Sequence, residues 1–184
     1  FILGVMEKHT TAAINARCLD YAHDAGLKFK ALMSMGHAGE TPATVAESVE
    51  WVMRHRPDDV DWTIITQYPG SPYYDHSEAD GENWVYVDSR TKARLWSDSS
   101  DFAQTAFYYK GVPGDYTSHV WTETLSVDDL VRERDAAESA TRPALGLSPI
   151  QSVAAQLYEH SMGGRLPSQV LRGTTVTREI GAPA

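Results

Sequence analysis

Residues 27–41 read LKFKALMSMGHAGET, and residues 60–75 read VDWTIITQYPGSPYYD. Each stretch begins with a run of apolar, aromatic or β-branched residues that is typical of a strand, and each ends in a loop rich in Gly or Pro. The predicted strands cover residues 27–36 and 60–68. The first strand is continuously apolar after its two lysines, which indicates a strand buried on both faces of a parallel sheet.

Helices flank these strands. Thr10 and Thr11 are suitable N-caps for a helix that runs to about Ala25, and Thr41 followed by Pro42 begins a second helix. Helix and strand thus alternate with short connections, the pattern of βαβ crossovers in a parallel sheet, so we expect an α/β fold. Helical spacing predicts that the first helix buries Ile14, Cys18, Tyr21, Ala22 and Ala25.

The character of the sequence changes after Tyr74. Residues 75–125 are rich in Asp, Ser, Tyr and Trp, with short strand-like pieces at residues 84–87 and 119–122. We therefore expect an irregular or small antiparallel extension. It is followed by two predicted helices and a loose tail, the helices covering residues 126–141 and 148–160.

The composition excludes several classes of function. The 184 residues are 42% hydrophobic and 22% charged, and 25 acidic against 16 basic residues give a net charge of −9. This sign disfavours nucleic acid or an anionic membrane as a partner, because phosphate binding requires a basic surface. The sequence has no apolar run of the roughly 20 residues that a membrane span needs and no secretory signal, so we expect a cytoplasmic protein.

Ligands of parallel sheets bind at the carboxyl ends of the strands, which makes the loops at residues 36–40 and 68–72 the candidate sites. Glu40 lies at a helix start, where unpaired backbone amides stabilise a carboxylate, so a purely structural role is one interpretation. His37 has the chemistry of a general acid or base or of a metal ligand, and a solvated loop histidine is the alternative.

Two acidic clusters and an aromatic group are further candidates. Asp58, Asp59 and Asp61 precede or begin the second strand, away from the ligand-binding end, and are expected to form a solvated acidic loop. Asp75 and His76 follow that strand but lack a recognised ligand spacing. Aromatic residues of the extension are expected to pack over the end of the sheet, with a substrate-stacking platform as the alternative: Trp96, Tyr108, Tyr109, Tyr116 and Trp121.

Three segments occur in a characteristic order. Residues 2–11, ILGVMEKHTT, are similar to the stretch that follows the fourth strand of a known barrel. Residues 33–41, MSMGHAGET, are similar to its fifth-strand motif, with His-Ala in place of the common Leu-Pro. Residues 60–75 are similar to its sixth strand and exit turn, with Gln67 in place of a Pro. In this order and spacing, the three segments resemble the radical S-adenosylmethionine enzymes.

The resemblance implies the C-terminal part of a partial (β/α)6 radical S-adenosylmethionine barrel in residues 1–75, followed by an α+β or helical extension in residues 76–184. Family members cleave S-adenosylmethionine reductively at a [4Fe–4S] cluster and use the 5′-deoxyadenosyl radical to modify a small-molecule substrate. Some members also bind cobalamin, so cobalamin use stays open. The cofactor-binding residues that the resemblance implies are Gly36, Gly39 and Glu40 on the adenosyl side and Tyr68, Pro69 and Gly70 beside adenine.

The sequence departs from the family pattern at the cluster-binding motif. The cluster needs three cysteine thiolates, whereas this chain contains only Cys18. The chain also begins at Phe1 in place of Met. We expect a fragment of a longer protein, with the cluster ligands and the N-terminal half of the barrel outside this sequence and packed on it. A cluster-free binding module derived from such a barrel is one alternative. A metal-dependent hydrolase that uses His37, Asp75 and His76 is another.

Overall fold

The structure is a computed structural model that describes residues 1–98 and 117–148. Its elements in chain order are α1 (Ile2–Val5), α2 (Ala12–Asp24), β1 (Lys30–Met35), α3 (Pro42–His55), β2 (Asp59–Ile64), α4 (Pro72–Asp75), β3 (Glu78–Asp80), β4 (Asn83–Val87), β5 (Arg94–Ser97), β6 (Val120–Trp121) and α5 (Val127–Ala144). The fold is mixed α/β, with one small parallel and one small antiparallel sheet, and these residues form no closed barrel. None of the helices among them combines the length and apolarity needed to cross a membrane.

β1 and β2 form the parallel sheet, with Lys30 opposite Asp59 at one end and continuous pairing along both strands. The predicted parallel arrangement is confirmed, and α3 connects the two strands. Thr41 caps α3 as predicted, because its hydroxyl accepts from the Thr44 amide while the Thr44 hydroxyl accepts from the Thr41 amide. β2 ends at Ile64 instead of residue 68, since β1 offers no backbone partner beyond its own end.

The two faces of this sheet differ in polarity, because side chains alternate between faces along a strand. The apolar face joins the main core and carries Ala31, Met33, Met35, Val60, Trp62 and Ile64. The opposite face, here called the polar face, carries Lys30, Leu32, Ser34, Asp59, Asp61 and Thr63. Leu32 is 66% exposed, so the expectation that the first strand is buried on both faces is wrong. The core packs against the apolar face and leaves this leucine uncovered.

α5 closes the outer edge of β2. Arg134 is fully buried, and its Nε donates a hydrogen bond to the Trp62 carbonyl at 3.0 Å. Two turns later, Arg142 donates from Nη1 to the Val60 carbonyl at 3.4 Å. Both carbonyls lie on the edge that faces away from β1, where a further strand would otherwise pair. The parallel sheet therefore ends at β2.

The opposite edge of the sheet, on β1, is open within residues 1–98 and 117–148. The Phe29 and Met35 carbonyls point towards β2, where they accept from backbone amides. The backbone groups of Lys30, Leu32 and Ser34 consequently point the other way, and no described strand pairs with them. The backbone groups of this edge are therefore available to a further strand.

β3, β4, β5 and β6 form an antiparallel sheet in sequential order, with Trp96 opposite Trp121. The expected antiparallel extension is confirmed, including both short strand-like pieces. Leu95 and Val120 are fully buried in the main core, so this sheet packs over one end of the parallel sheet. The aromatic candidates Tyr108, Tyr109 and Tyr116, residues 149–160 of the last predicted helix and the tail lie outside the described residues.

Two helices differ from their predictions. α2 begins after its predicted Thr11 cap but buries Ala16 and Leu19. The residues predicted to be buried there that are in fact exposed are Ile14, Cys18, Tyr21 and Ala25. The Trp51 indole of α3 donates to the Ala12 carbonyl at 3.1 Å, and this contact fixes which face of α2 turns inward. α5 begins at the predicted Ser126 cap and extends past residue 141 to Ala144. Pro143 lies in its last turn, where the missing N–H of proline costs one hydrogen bond and the helix ends one residue later.

Replacing Arg134 tests the closure of the β2 edge. Arg134→Met keeps much of the side-chain volume but leaves the buried Trp62 carbonyl without its donor and removes a cation from beside Glu138. We expect the free energy of unfolding, measured by urea denaturation, to fall by about 3 kcal/mol. The control Arg132→Met breaks an exposed ion pair with Asp129 on the same helix, and its cost should be much smaller because solvent screens exposed pairs. Equal losses in the two variants would contradict a stabilising role of the edge closure.

Candidate functional site

The loop after β1 is folded around the carboxylate of Glu40. Its Oε2 accepts hydrogen bonds from the backbone amides of Gly36 and His37, the second at 3.2 Å. Glu40 is buried, and this burial raises the pKa of its carboxyl to about 7 even though the two backbone hydrogen bonds act to lower it. The Glu40 carboxylate therefore stabilises the conformation of this loop through hydrogen bonds to its backbone.

Elements of the extension cover this loop. The Glu40 carbonyl accepts from the Thr122 hydroxyl at 3.0 Å and from the Thr124 hydroxyl at 2.9 Å. Glu40 is thus fixed at its side chain by the loop itself and at its backbone by residues that follow β6.

Glycine is required at two positions of the loop. Gly36 and Gly39 have φ values of 87° and 74°, in the left-handed region that favours glycine. A Cβ on Gly36 would lie 3.0 Å from the Val120 side chain, and a Cβ on Gly39 would lie 2.7 Å from the Ala93 Cβ. Protein atoms, and not open space, face both glycines.

His37 is buried, with 3% of its surface exposed, and is engaged at both ring nitrogens. Nε2 lies 2.8 Å from the Ser34 hydroxyl, and Nδ1 lies 3.2 Å from the Tyr73 hydroxyl. Burial, with a smaller contribution from the charge of Lys8, lowers the pKa of His37 to about 4, so the ring is neutral at pH 7. The interpretation of His37 as a solvated loop residue is therefore wrong.

The loop after β2 is exposed where the loop after β1 is buried. Tyr68 is 43% exposed, and Pro69 and Gly70 are exposed as well. Within residues 1–98 and 117–148, no atom outside the adjacent residues lies within 4 Å of a Cβ built on Gly70, and the Gly70 amide donates to the Asp75 carboxylate at 3.1 Å. This turn leaves its backbone accessible to a ligand.

Tyr73 and Gln67 join the two loops. Tyr73 reaches from α4 to His37, and its ring meets the Tyr86 ring edge-on at 4.8 Å. Gln67 is buried, and its Oε1 accepts from the Ser97 hydroxyl of β5 at 2.9 Å. The carboxyl ends of both parallel strands are thereby brought together beside the antiparallel sheet. The sequence showed Gln67 only as a replacement for Pro, and it gave no signal for Tyr73.

The six residues that the resemblance implies for cofactor binding therefore lie at one end of the parallel sheet in two different settings. Gly36, Gly39 and Glu40 are buried beneath the extension. The turn at residues 68–70 is accessible. Only the turn at residues 68–70 presents exposed backbone and side-chain surface, whereas the loop at residues 36–40 packs against protein atoms.

The acidic cluster before the second strand is not a solvated loop. Asp59 and Asp61 lie within β2; Asp59 forms an ion pair with Lys30 at 2.7 Å, and Asp61 is buried. Only Asp58 stays at the surface, where its carboxylate accepts from the Phe29 amide at 2.8 Å. That prediction is wrong for the two residues that strand pairing draws into the sheet.

A metal site is not assembled from the candidates of the hydrolase hypothesis. Asp75 and His76 are exposed, whereas both nitrogens of His37 face hydroxyl groups. Among the residues that the structure describes, no three His, Cys, Asp or Glu side chains are grouped so as to hold a metal ion. A cavity of about 430 Å³ is lined by Glu7, Ile14 and Arg90 and contains none of the predicted site residues.

Comparisons with known proteins add no identification. No protein-family model, no curated protein and no solved structure matches this chain.

Glu40→Gln tests the environment of the buried carboxylate. A carboxyl pKa raised from 4.5 to about 7 on folding stabilises the protein at low pH, and this contribution is lost as the pH rises through 7. Gln is neutral at every pH and retains the shape of the side chain. Between pH 4 and pH 8, the free energy of unfolding of the wild type should therefore fall by about 3 kcal/mol relative to Glu40→Gln.

The measurement is urea denaturation at a series of pH values. Glu47→Gln, an equivalent change at an exposed position of α3, serves as the control and should follow the wild-type curve. A constant offset between the wild type and Glu40→Gln across this range would show that Glu40 is not held in a desolvating environment.

Proposed function

We propose that this chain forms the last two strands and the C-terminal extension of a partial (β/α)6 barrel in a radical S-adenosylmethionine enzyme. The observation that carries the proposal is the asymmetry of the parallel sheet. Arg134 and Arg142 close the β2 edge, whereas the β1 edge of the described chain is open. A final barrel strand needs a neighbour on one side only. The order of the three similar sequence segments supports the same placement.

The two faces of the sheet support this placement as well. In a (β/α) barrel, helices cover the outer face of the strands and the inner face borders the barrel interior. Here the apolar face packs into a core that includes Val45 and Val52 of α3, and the polar face carries Ser34, Asp61 and Thr63. The polar face would line the barrel interior once the upstream strands are in place.

The exposed turn would hold the adenosyl part of S-adenosylmethionine. Tyr68 offers an aromatic face to adenine, and Pro69 and Gly70 let backbone groups approach it. Glu40 would position the supporting loop and would not contact the cofactor. When bound at a reduced [4Fe–4S] cluster, the cofactor supplies a 5′-deoxyadenosyl radical for hydrogen abstraction from a small-molecule substrate.

The cluster itself would be held outside this sequence. Cys18 is the one cysteine of the chain, and it is exposed on α2. Three thiolates would accordingly come from the upstream half of the barrel, which is also the source of the strand expected beside β1. The upstream half is in this sense the main partner of this chain.

The proposal is tested on the natural gene product that contains this sequence. The protein is purified without oxygen, its cluster is reconstituted, and iron, sulfide and S-adenosylmethionine binding are measured. About four iron and four sulfide per chain together with cofactor binding would support the proposal. A product that folds without a cluster would contradict the proposal. It would favour the cluster-free binding module, for which an open β1 edge is also expected.

Two exposed tyrosines provide a matched test of the turn. Tyr68→Ala removes the ring proposed to stack on adenine, and equilibrium dialysis should show S-adenosylmethionine binding about tenfold weaker. Tyr74→Ala removes a ring of similar exposure, 48%, from α4 and should change the affinity less than about twofold. Unchanged binding in Tyr68→Ala would remove Tyr68 from the cofactor site.

Two exposed leucines provide a matched test of the open edge. With the two halves of the barrel produced as separate polypeptides, Leu32→Asp should weaken their association at least about tenfold, because it places a charge on the edge strand next to the side chains of the strand expected to adjoin it. Leu27→Asp alters a residue of similar exposure, 63%, that precedes β1, and should leave the association unchanged. Sedimentation of mixed halves measures the effect, and equal behaviour of the two variants would contradict strand addition at β1.

A further inference from the structure

One hydroxyl group on the polar face of the parallel sheet is attached to a buried chain of hydrogen bonds. Ser34 lies opposite Thr63 on that face, and its hydroxyl is 2.8 Å from His37 Nε2. On its other side, His37 Nδ1 is 3.2 Å from the Tyr73 hydroxyl. The chain of groups leads from the polar face of the sheet, through a buried imidazole, to α4.

The surroundings of this chain favour one direction of its hydrogen bonds. A neutral imidazole has one nitrogen that donates and one that accepts. The Ala38 backbone amide donates to the Tyr73 hydroxyl oxygen, which leaves the Tyr73 proton available to His37 Nδ1. With Nδ1 as the acceptor, His37 Nε2 donates to the Ser34 oxygen.

The proton of Ser34 is consequently directed away from His37. A hydroxyl that accepts one hydrogen bond becomes a stronger donor of its own, because successive hydrogen bonds in a chain polarise one another. The polar face of the sheet thus presents an oriented O–H donor beside Thr63.

We propose that Ser34 donates a hydrogen bond to a neutral acceptor, a carbonyl or hydroxyl oxygen, on a ligand bound against the polar face of β1 and β2. The inference rests on the proposed function, in which this face lines the barrel interior. A neutral acceptor is favoured over an anion because Asp61 lies on the same face, where the charge of Asp59 is already paired with Lys30. Ser34 does not act as an acyl-transfer nucleophile here, since Glu40 already occupies the neighbouring loop amides that would form an oxyanion hole.

The first test is the protonation pattern of His37 in the full chain, measured by NMR with ¹⁵N-labelled histidine. At pH 7, we expect Nε2 to be protonated and Nδ1 to be unprotonated. Tyr73→Phe removes the donor to Nδ1 and should shift the proton partly to that nitrogen. A wild-type ring protonated at Nδ1 would make Ser34 the donor to His37 and would overturn the proposal.

The second test uses N,N-dimethylacetamide as the probe, a neutral carbonyl acceptor that has no N–H group. Its addition should change the His37 Nε2 resonance in the wild type and in the control Thr63→Val, and the response should fall at least about tenfold in Ser34→Ala. Acetate, an anionic acceptor, should give a weaker response than dimethylacetamide. An equal response in Ser34→Ala, no response in the wild type, or a stronger response to acetate would overturn the proposal.

Neither test involves a cluster or S-adenosylmethionine. Failure of the radical enzyme proposal would appear as absent cofactor binding, whereas failure of the Ser34 proposal would appear in the histidine spectrum. Thermal unfolding of Ser34→Ala, expected near the wild-type temperature, shows that a lost response reflects the missing hydroxyl and not an unfolded chain.

Discussion

The hydrogen bond from the buried Arg134 guanidinium to the Trp62 carbonyl determines how the parallel sheet is completed. Burying an arginine is costly unless its donors are satisfied, and here Asp135 accepts from the same guanidinium at 2.9 Å. Glu138 lies between Arg134 and Arg142, whose charges act to lower its pKa, yet burial raises that pKa to about 7. Because α5 occupies this edge, the sheet is left with a single direction of growth, at β1.

The sequence predicted those parts of the fold that depend on local signals. Thr41 and Ser126 cap their helices as expected, since a capping side chain acts within three residues of itself. The parallel pairing follows from two strands separated by one helix. The exposure of Leu32 and the inward face of α2 were not predictable in this way, because they depend on which distant element covers each surface.

The candidate site likewise has a part that local signals predict and a part that depends on distant elements. Placing the two loops at one end of the sheet needs only the alternation of strands and helices, and this part of the prediction requires no knowledge of packing. The burial of His37 and Glu40 depends on the extension, whose position over the loop has no signature in either segment. In the sequence, Ser34 is one polar residue in an otherwise apolar strand. This pattern does not show what the Ser34 side chain contacts, because the contacts depend on the elements that pack beside the strand.

The two threonine hydroxyls on the Glu40 carbonyl also have a consequence for the order of folding. They join residue 40 to residues 122 and 124, contacts that span more than 80 positions of the chain. Contacts of such long sequence separation form slowly, because a large loop must close first. During synthesis, α3 and the strand pair can assemble early, whereas the loop after β1 acquires its final support only after the residues beyond β6 have left the ribosome. The candidate site is thus among the last parts of this chain to be completed.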